Sequence, residues 1–259
     1  MSKIDLTIVI PTYKEEGRIG DTLEELGKYL KTVKREVEVL VVDADSPDKT
    51  VTEAQAHKSV FKHFRVLSAG PKPAGRAIKG KQVRDGIYEA KGAYIVFMDA
   101  DLATPLKYLE RVFAAMDANL PVTICVRNLT QSHKGMRKII SGFGNFLVQT
   151  LLLPGIRDTQ CGFKAFEKEA AHGIFARQKI LGWGFDMEVL AIARKLGYGI
   201  DLIEVPDWHD VKKGSKLSGA SAIKAALQVF LDLLNIKWGM ITGRYNKASY
   251  SHESLKSHE

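Results

Sequence analysis

Only two cysteines, Cys125 and Cys161, occur in 259 residues, with no Cys-x-x-Cys pair and no Cys/His cluster. That scarcity excludes a disulfide scaffold and a zinc module and fits a reducing compartment. Long apolar runs are also missing. The apolar stretch Ile139–Leu153 has fifteen residues, against the roughly 20 that a bilayer span needs, and the N-terminal MSKIDLTIVIP leads through one short strand-like run into a turn. Repeats and interdomain linkers are absent. What is present is 45% apolar and 26% charged residues, enough for one globular core, which excludes disorder, collagen and coiled coil. Basic residues outnumber acidic ones by 38 to 30, a net charge of +8 that favours an anionic partner: nucleotide phosphates, an anionic membrane surface or nucleic acid.

Apolar runs at Leu6–Ile10, Val37–Val42, Phe64–Leu67, Tyr94–Met98 and Val122–Val126 read as strands of a parallel sheet covered on both faces. Between them Ile19, Leu23, Leu26 and Leu30 share one helical face, and Leu106, Leu109, Phe113, Met116 and Leu120 share another. The pattern predicts an α/β, doubly wound fold, with Thr104 as N-cap and Pro105 as the first residue of the helix after Met98. A basic stretch at 127–138 precedes Ile139–Leu153, expected as a buried helix or one lying in a membrane interface. A helix near Asp186–Leu196, a strand near Ile200–Val205 and a final helix from Ala220 to Trp238 follow. The expected division is one domain over residues 1–245 and a flexible, frayed tail over 246–259.

Asp99-Ala100-Asp101 closes the strand Tyr94–Met98. Residues two apart on extended chain point the same way, so both carboxylates face one site at the end of the sheet where α/β proteins bind ligands. One or two carboxylates together with substrate phosphates is a usual way to hold Mg²⁺ or Mn²⁺. Asp43-Ala44-Asp45-Ser46 and Pro11-Thr12-Tyr13-Lys14-Glu15 end two further strands on the same rim. The alternative for Asp43 is a cap or turn before a helix at Lys49–His57. Gly75–Lys81 has the spacing G-x-x-x-x-G-K, but Gln82 stands where a P-loop needs Ser or Thr, so it reads as a basic loop that turns Lys79 and a helix start toward phosphate. Asp158–Lys164 reads as a turn. Asp186 and Glu188 read as general-base candidates or as the acidic first turn of a helix. His209-Asp210 and the acceptor-like Asn128-Leu129-Thr130 carry no function.

PTYKEE, VVDADSPDKT, KGKQVRDG, MDADLATP, the Arg137-x-x-x-Ser141-x-x-x-Asn145 spacing, RDTQCGFKAF, WGFDMEVL and GSKL together resemble family-2 glycosyltransferases of the GT-A fold. The likeness covers Leu6 to Tyr245. It points to the dolichyl-phosphate β-glucosyltransferase branch, close to dolichol-phosphate mannose synthases. It implies a mostly parallel, Rossmann-like sheet sandwiched by helices, with a C-terminal amphipathic helix. A nucleotide-sugar site would comprise Pro11, Tyr13, Glu15, Asp43, Lys79, Asp99, Ala100 and Asp101. The catalytic group would be Asp101, Asp99 and Asp186, with Asp99 and Asp101 holding Mg²⁺ or Mn²⁺. Acceptor phosphate would meet Arg127, Arg137 and Lys216.

The implied reaction is inverting, metal-dependent transfer of glucose from UDP-glucose to a polyprenyl (dolichyl-type) phosphate, giving a β-linked lipid-phosphate sugar. The donor follows from Leu-Ala-Thr-Pro after Asp101, where the mannosyl branch has Leu-Gln-His-Pro. A GDP-mannose-using enzyme and a transferase with a hydroxyl acceptor are the alternatives, and a nucleic-acid-binding module is the remote one. Departures from the family pattern are Asp43-Ala44-Asp45-Ser46 for Asp-Asp-Gly-Ser, Lys14 for Asn, and no N-terminal membrane anchor. Without an anchor, Ile139–Leu153 and the C-terminal helix are the expected contacts with the cytoplasmic face of a membrane, placing the protein in the cytoplasm and peripherally bound; nucleic acid is not expected as a partner.

Overall fold

The structure, a computed structural model, describes residues 3–127, 136–208 and 219–249, without the side chains of 136–143 and 219–226. Among the described residues seven strands form one sheet: β1 (Leu6–Thr12), β2 (Val37–Asp43), β3 (His63–Ser68), β4 (Tyr94–Met98), β5 (Val122–Arg127), β6 (Phe163–Glu167) and β7 (Ile200–Val205). Their order is β3-β2-β1-β4-β6-β5-β7. β6 runs antiparallel to both β4 and β5, and every other pairing is parallel.

Among the described residues eight α-helices accompany the sheet: α1 (Ile19–Leu30), α2 (Thr50–Ala56), α3 (Lys79–Glu89), α4 (Leu109–Asp117), α5 (Met136–Leu151), α6 (Lys168–Phe175), α7 (Phe185–Lys195) and α8 (Gly219–Ile241). Alternate strand residues go to opposite faces, which makes two apolar layers. Ile8, Ile10, Val39 and Met98 pack with Ile19, Leu23 and Leu26 of α1 and Leu109 and Val112 of α4. Val9, Leu40, Val42 and Phe97 pack on the other face with Val83 and Ile87 of α3, Ile174 and Phe175 of α6, and Leu190 of α7. Both faces are covered, so the inner strands read as unbroken apolar runs.

Several expectations need correction. Thr104 does not cap a helix: Pro105 is extended at φ −58°, ψ 141°, a 3-10 turn over Leu106–Tyr108 precedes α4, and the Thr104 hydroxyl lies 3.6 Å from Cys161 Sγ. Asp158–Lys164 is not only a turn, because its last two residues begin β6. α5 is two-faced where its side chains are described, with Val148 buried and Phe146 exposed. Tyr245, the last residue of the expected domain, is fully buried and its hydroxyl donates to Glu188 Oε1 at 2.8 Å, while within the stretch expected as a frayed tail Ser249 N donates to Ala176 O at 2.7 Å. His209, Asp210, residues 128–130, Lys216 and residues 250–259 lie outside the described residues.

Candidate active site

Parallel pairing brings the ends of β1 and β2 level, with Thr12 opposite Asp43. The Thr12 hydroxyl donates to Asp43 Oδ1 at 2.9 Å, and Ser46 donates its hydroxyl to Oδ1 (2.7 Å) and its amide to Oδ2 (2.6 Å). Gln82 of α3 donates its side-chain amide to both Thr12 O (2.7 Å) and Val42 O (2.8 Å), which clips the two strand ends together. Asp43 is buried and braces this rim. It does not cap α2, where Asp48 instead accepts the Thr50 amide at 3.1 Å.

Beyond β1 the chain turns through Lys14 at φ 58°, a left-handed conformation that favours Asn or Gly. The Lys14 amide donates to Ser46 Oγ at 2.9 Å. Tyr13, after the rim residue Pro11, carries the Lys72 ammonium 4.8 Å and the Lys14 ammonium 5.7 Å from its ring centre. Glu15 takes Arg18 Nη1 at 2.7 Å. Burial pushes its carboxyl up against the opposing Arg18 charge, and Asp101 and Asp99 push it further, so the first and fourth strand ends share one field as their topology implies.

At the end of β4, Ala100 is buried and its carbonyl accepts the Thr22 hydroxyl at 2.6 Å, so this residue spaces the two carboxylates and offers no side chain of its own to a ligand. Asp99 pairs with Lys79 Nζ at 2.5 Å, and its amide donates to Gly162 O at 3.0 Å. A Cβ on Gly162 would stand inside the Asp99 carboxylate, so only glycine leaves that side chain its place. Asp101 Oδ1 accepts the Ala103 amide at 3.1 Å. Burial and the neighbouring Asp99 both raise the Asp101 carboxyl. For Lys79, burial acts against the ammonium, and Asp99 and Asp186 outweigh it and hold the charge.

The stretch Asp158–Lys164 braces this centre. Asp158 accepts three hydrogen bonds from Arg127, and Arg127 lies 5.0 Å over the Trp208 ring. Gln160 N donates back to Asp158 Oδ1 at 3.2 Å, an Asx-type turn. Lys164 is completely buried on β6. Its ammonium donates to Cys161 O at 2.7 Å and pairs with Asp186 of α7. Asp186 is therefore not a helix cap. Burial raises its carboxyl, with Lys164 and Lys79 opposing. Glu188 is also spent internally, since it accepts the amides of Lys179 (3.0 Å) and Ile180 (2.8 Å) and the Tyr245 hydroxyl.

Asp99, Asp101, Arg127, Gln160 and Trp208 line one cleft. Of the expected phosphate-binding residues, Arg127 therefore stands beside the carboxylate pair. Arg137 lies on α5 with its side chain outside the described residues, and Lys216 lies outside them altogether. Sequence reasoning missed Gln82, Gly162, Lys164, Lys72 and Trp208. Lys164 had a usable signal: a lysine among alternating Phe163, Ala165 and Phe166 must find a carboxylate partner if the strand is buried.

Two hard oxygen donors side by side, with Asp99 raising the Asp101 carboxyl, suit Mg²⁺ or Mn²⁺ completed by substrate phosphate and water. Among the described residues no group of three His, Cys, Asp or Glu side chains gathers to hold a metal. The donor set thus fits an ion shared with a diphosphate.

A mostly parallel sheet with acidic strand ends on one rim defines the class. The glycosyl transferase family 2 profile matches residues 7–175, and the chain belongs to that family. Among curated relatives it is 34% identical to the dolichyl-phosphate β-glucosyltransferase of Homo sapiens, over 93% of this chain and 77% of that protein. It is 30% identical to that of Dictyostelium discoideum, over 94% and 77%. Among solved structures it resembles glucosyl-3-phosphoglycerate synthase from Mycobacterium tuberculosis in complex with Mn²⁺, UDP and phosphoglyceric acid. That likeness has a TM-score of 0.67 at 21% identity and covers 90% of this chain and 78% of the other, so it shows the shared α/β, GT-A-like fold.

Proposed function

We propose that this glycosyltransferase moves glucose from UDP-glucose to a polyprenyl (dolichyl-type) phosphate with inversion, releasing UDP and a β-linked lipid-phosphate sugar. The observation that carries the reading is the shared cleft, in which the Asp99–Asp101 pair stands with Arg127. The names of the relatives, dolichyl-phosphate β-glucosyltransferases, give the same donor sugar and acceptor class.

Tyr13, Glu15 and the braced rim at Asp43 receive the nucleoside, and Lys79 meets the diphosphate. Asp99 and Asp101 would hold Mg²⁺ or Mn²⁺, which supplies Lewis-acid stabilisation of charge on the departing UDP. Arg127, kept in place by Asp158 and Trp208, orients the acceptor phosphate. A phosphate monoester has a second pKa near 6 and is mostly dianionic at neutral pH, so it attacks the anomeric carbon without a general base. The engagement of Asp186 by Lys164 and the saturation of Glu188 support this over a hydroxyl acceptor, which would need a free carboxylate.

We place the enzyme at the cytoplasmic face of a membrane. Among the described residues no helix is long and apolar enough to cross one. The exposed Phe146 on α5 and the apolar outer face of α8 supply the surface contact. The test is a donor competition with purified protein, polyprenyl phosphate in detergent and Mg²⁺ or Mn²⁺. UDP-glucose should be consumed and GDP-mannose left intact. Consumption of GDP-mannose would reassign the donor.

A further inference from the structure

We propose that Trp183 and the outer face of α8 seat the isoprenoid chain of the acceptor, with the indole covering the isoprene unit nearest the phosphate. This rests on the lipid-phosphate reading above and adds to it the residues that recognise the lipid.

Trp183 is 56% exposed, yet its loop is held on every side. Gln178 donates to Gly80 O at 3.0 Å, Lys81 N donates to Leu181 O at 3.3 Å, and Glu188 takes the amides of Lys179 and Ile180. Gly184 lies so close to Asp232 of α8 that a Cβ would collide with that side chain. A large aromatic presented to solvent by a fixed loop is available apolar surface, and its place is specific. The Lys79 ammonium lies 5.7 Å from the indole, and Lys79 itself pairs with Asp99. The ring therefore stands at the lip of the carboxylate site.

From that lip an apolar stripe runs along α8. Leu227, Phe230, Leu231, Leu234, Trp238 and Ile241 are all exposed, at steps of three or four residues apart from the adjacent Phe230 and Leu231, while Leu233 and Ile236 are buried in the core. Leu231 directly precedes Asp232, the residue against which Gly184 packs, so the stripe passes the segment that carries the indole. From Leu231 to Ile241 it extends about 15 Å. A face that only rested on a bilayer would not need an aromatic at the reacting end. Continuity between the lip and the stripe is what a chain bearing phosphate at one end requires.

The test uses the full chain with geranyl phosphate and a long polyprenyl phosphate in detergent. Trp183→Ala should raise the KM of both acceptors roughly tenfold and leave the KM of UDP-glucose unchanged, with Trp183→Phe restoring most of the loss. Leu231→Ser with Leu234→Ser should raise the KM of the long acceptor alone. Without donor, the long acceptor should shift the tryptophan emission of the wild type, and less so in Trp183→Phe. A raised KM for UDP-glucose in Trp183→Ala would assign the indole to the donor and overturn the proposal. So would stripe variants that alter only vesicle binding or self-association. Absence of binding and transfer to either prenyl phosphate, with UDP-glucose still bound, would instead remove the lipid-phosphate reading itself.

Discussion

Asp158 accepts from Arg127 through the Arg127 backbone amide at 3.0 Å, Nε at 2.6 Å and Nη2 at 2.9 Å, so one buried carboxylate fixes both the end of β5 and the guanidinium beside the Asp99–Asp101 pair. Burial would raise the Asp158 carboxyl, but the hydrogen bonds and charge of Arg127 overcome it and hold it below the ordinary value. A carboxyl with a lowered folded pKa adds stability that is full above its unfolded value near 4 and is lost as pH falls through the folded one. Urea titrations from neutral pH down to acid should show that loss, and Asp158→Asn should flatten it. An unchanged acid slope in the variant would contradict the assignment. Arg127→Met should cost roughly 3–5 kcal/mol, because it strands the carboxylate.

The buried Lys164–Asp186 pair makes a parallel case with a different remedy. Lys164→Met should lower stability by roughly 3–5 kcal/mol, and Lys164→Met with Asp186→Leu should recover most of it, since an apolar pair carries no uncompensated charge. Urea midpoints of both variants decide this. A double variant no more stable than the single would mean that the pair does not balance itself.

Gly162→Ala should separate activity from folding. The added methyl displaces the Asp99 carboxylate, so turnover should fall at least tenfold while thermal unfolding shifts by only a few degrees. Equal activity in the variant would show that the position of Asp99 does not matter to the reaction.

Lys14 is in the left-handed region that Asn tolerates better, and the interaction holding it, its amide to Ser46, survives substitution. Lys14→Asn should therefore raise Tm by about 2 °C. A lower Tm would show that the Lys14 side chain contributes more than its backbone strain costs.

Much of this architecture was readable from residue order. β1, β2 and β4 announced themselves because each is buried on both faces, and the carboxylates at their ends followed from the position of ligand sites in α/β sheets. β6 stayed hidden because Lys164 interrupts its apolar pattern and its partner, Asp186, is brought to it only by tertiary folding. Thr104-Pro105 has the local chemistry of a helix start, but the packing of Thr104 on Cys161 overrides it. Gln82 was legible only as the wrong residue for a P-loop, because its role is to join carbonyls contributed by two other strands. Tyr245 was concealed by the polar residues around it.

Transfer of labelled glucose from UDP-glucose into the organic phase, with a polyprenyl phosphate acceptor and Mg²⁺ or Mn²⁺, tests the central claim most directly. Lipid-soluble label should form with the wild-type chain and vanish with Asp101→Asn. Label that persists in the variant, or that never enters the lipid although UDP-glucose binds, would contradict the account.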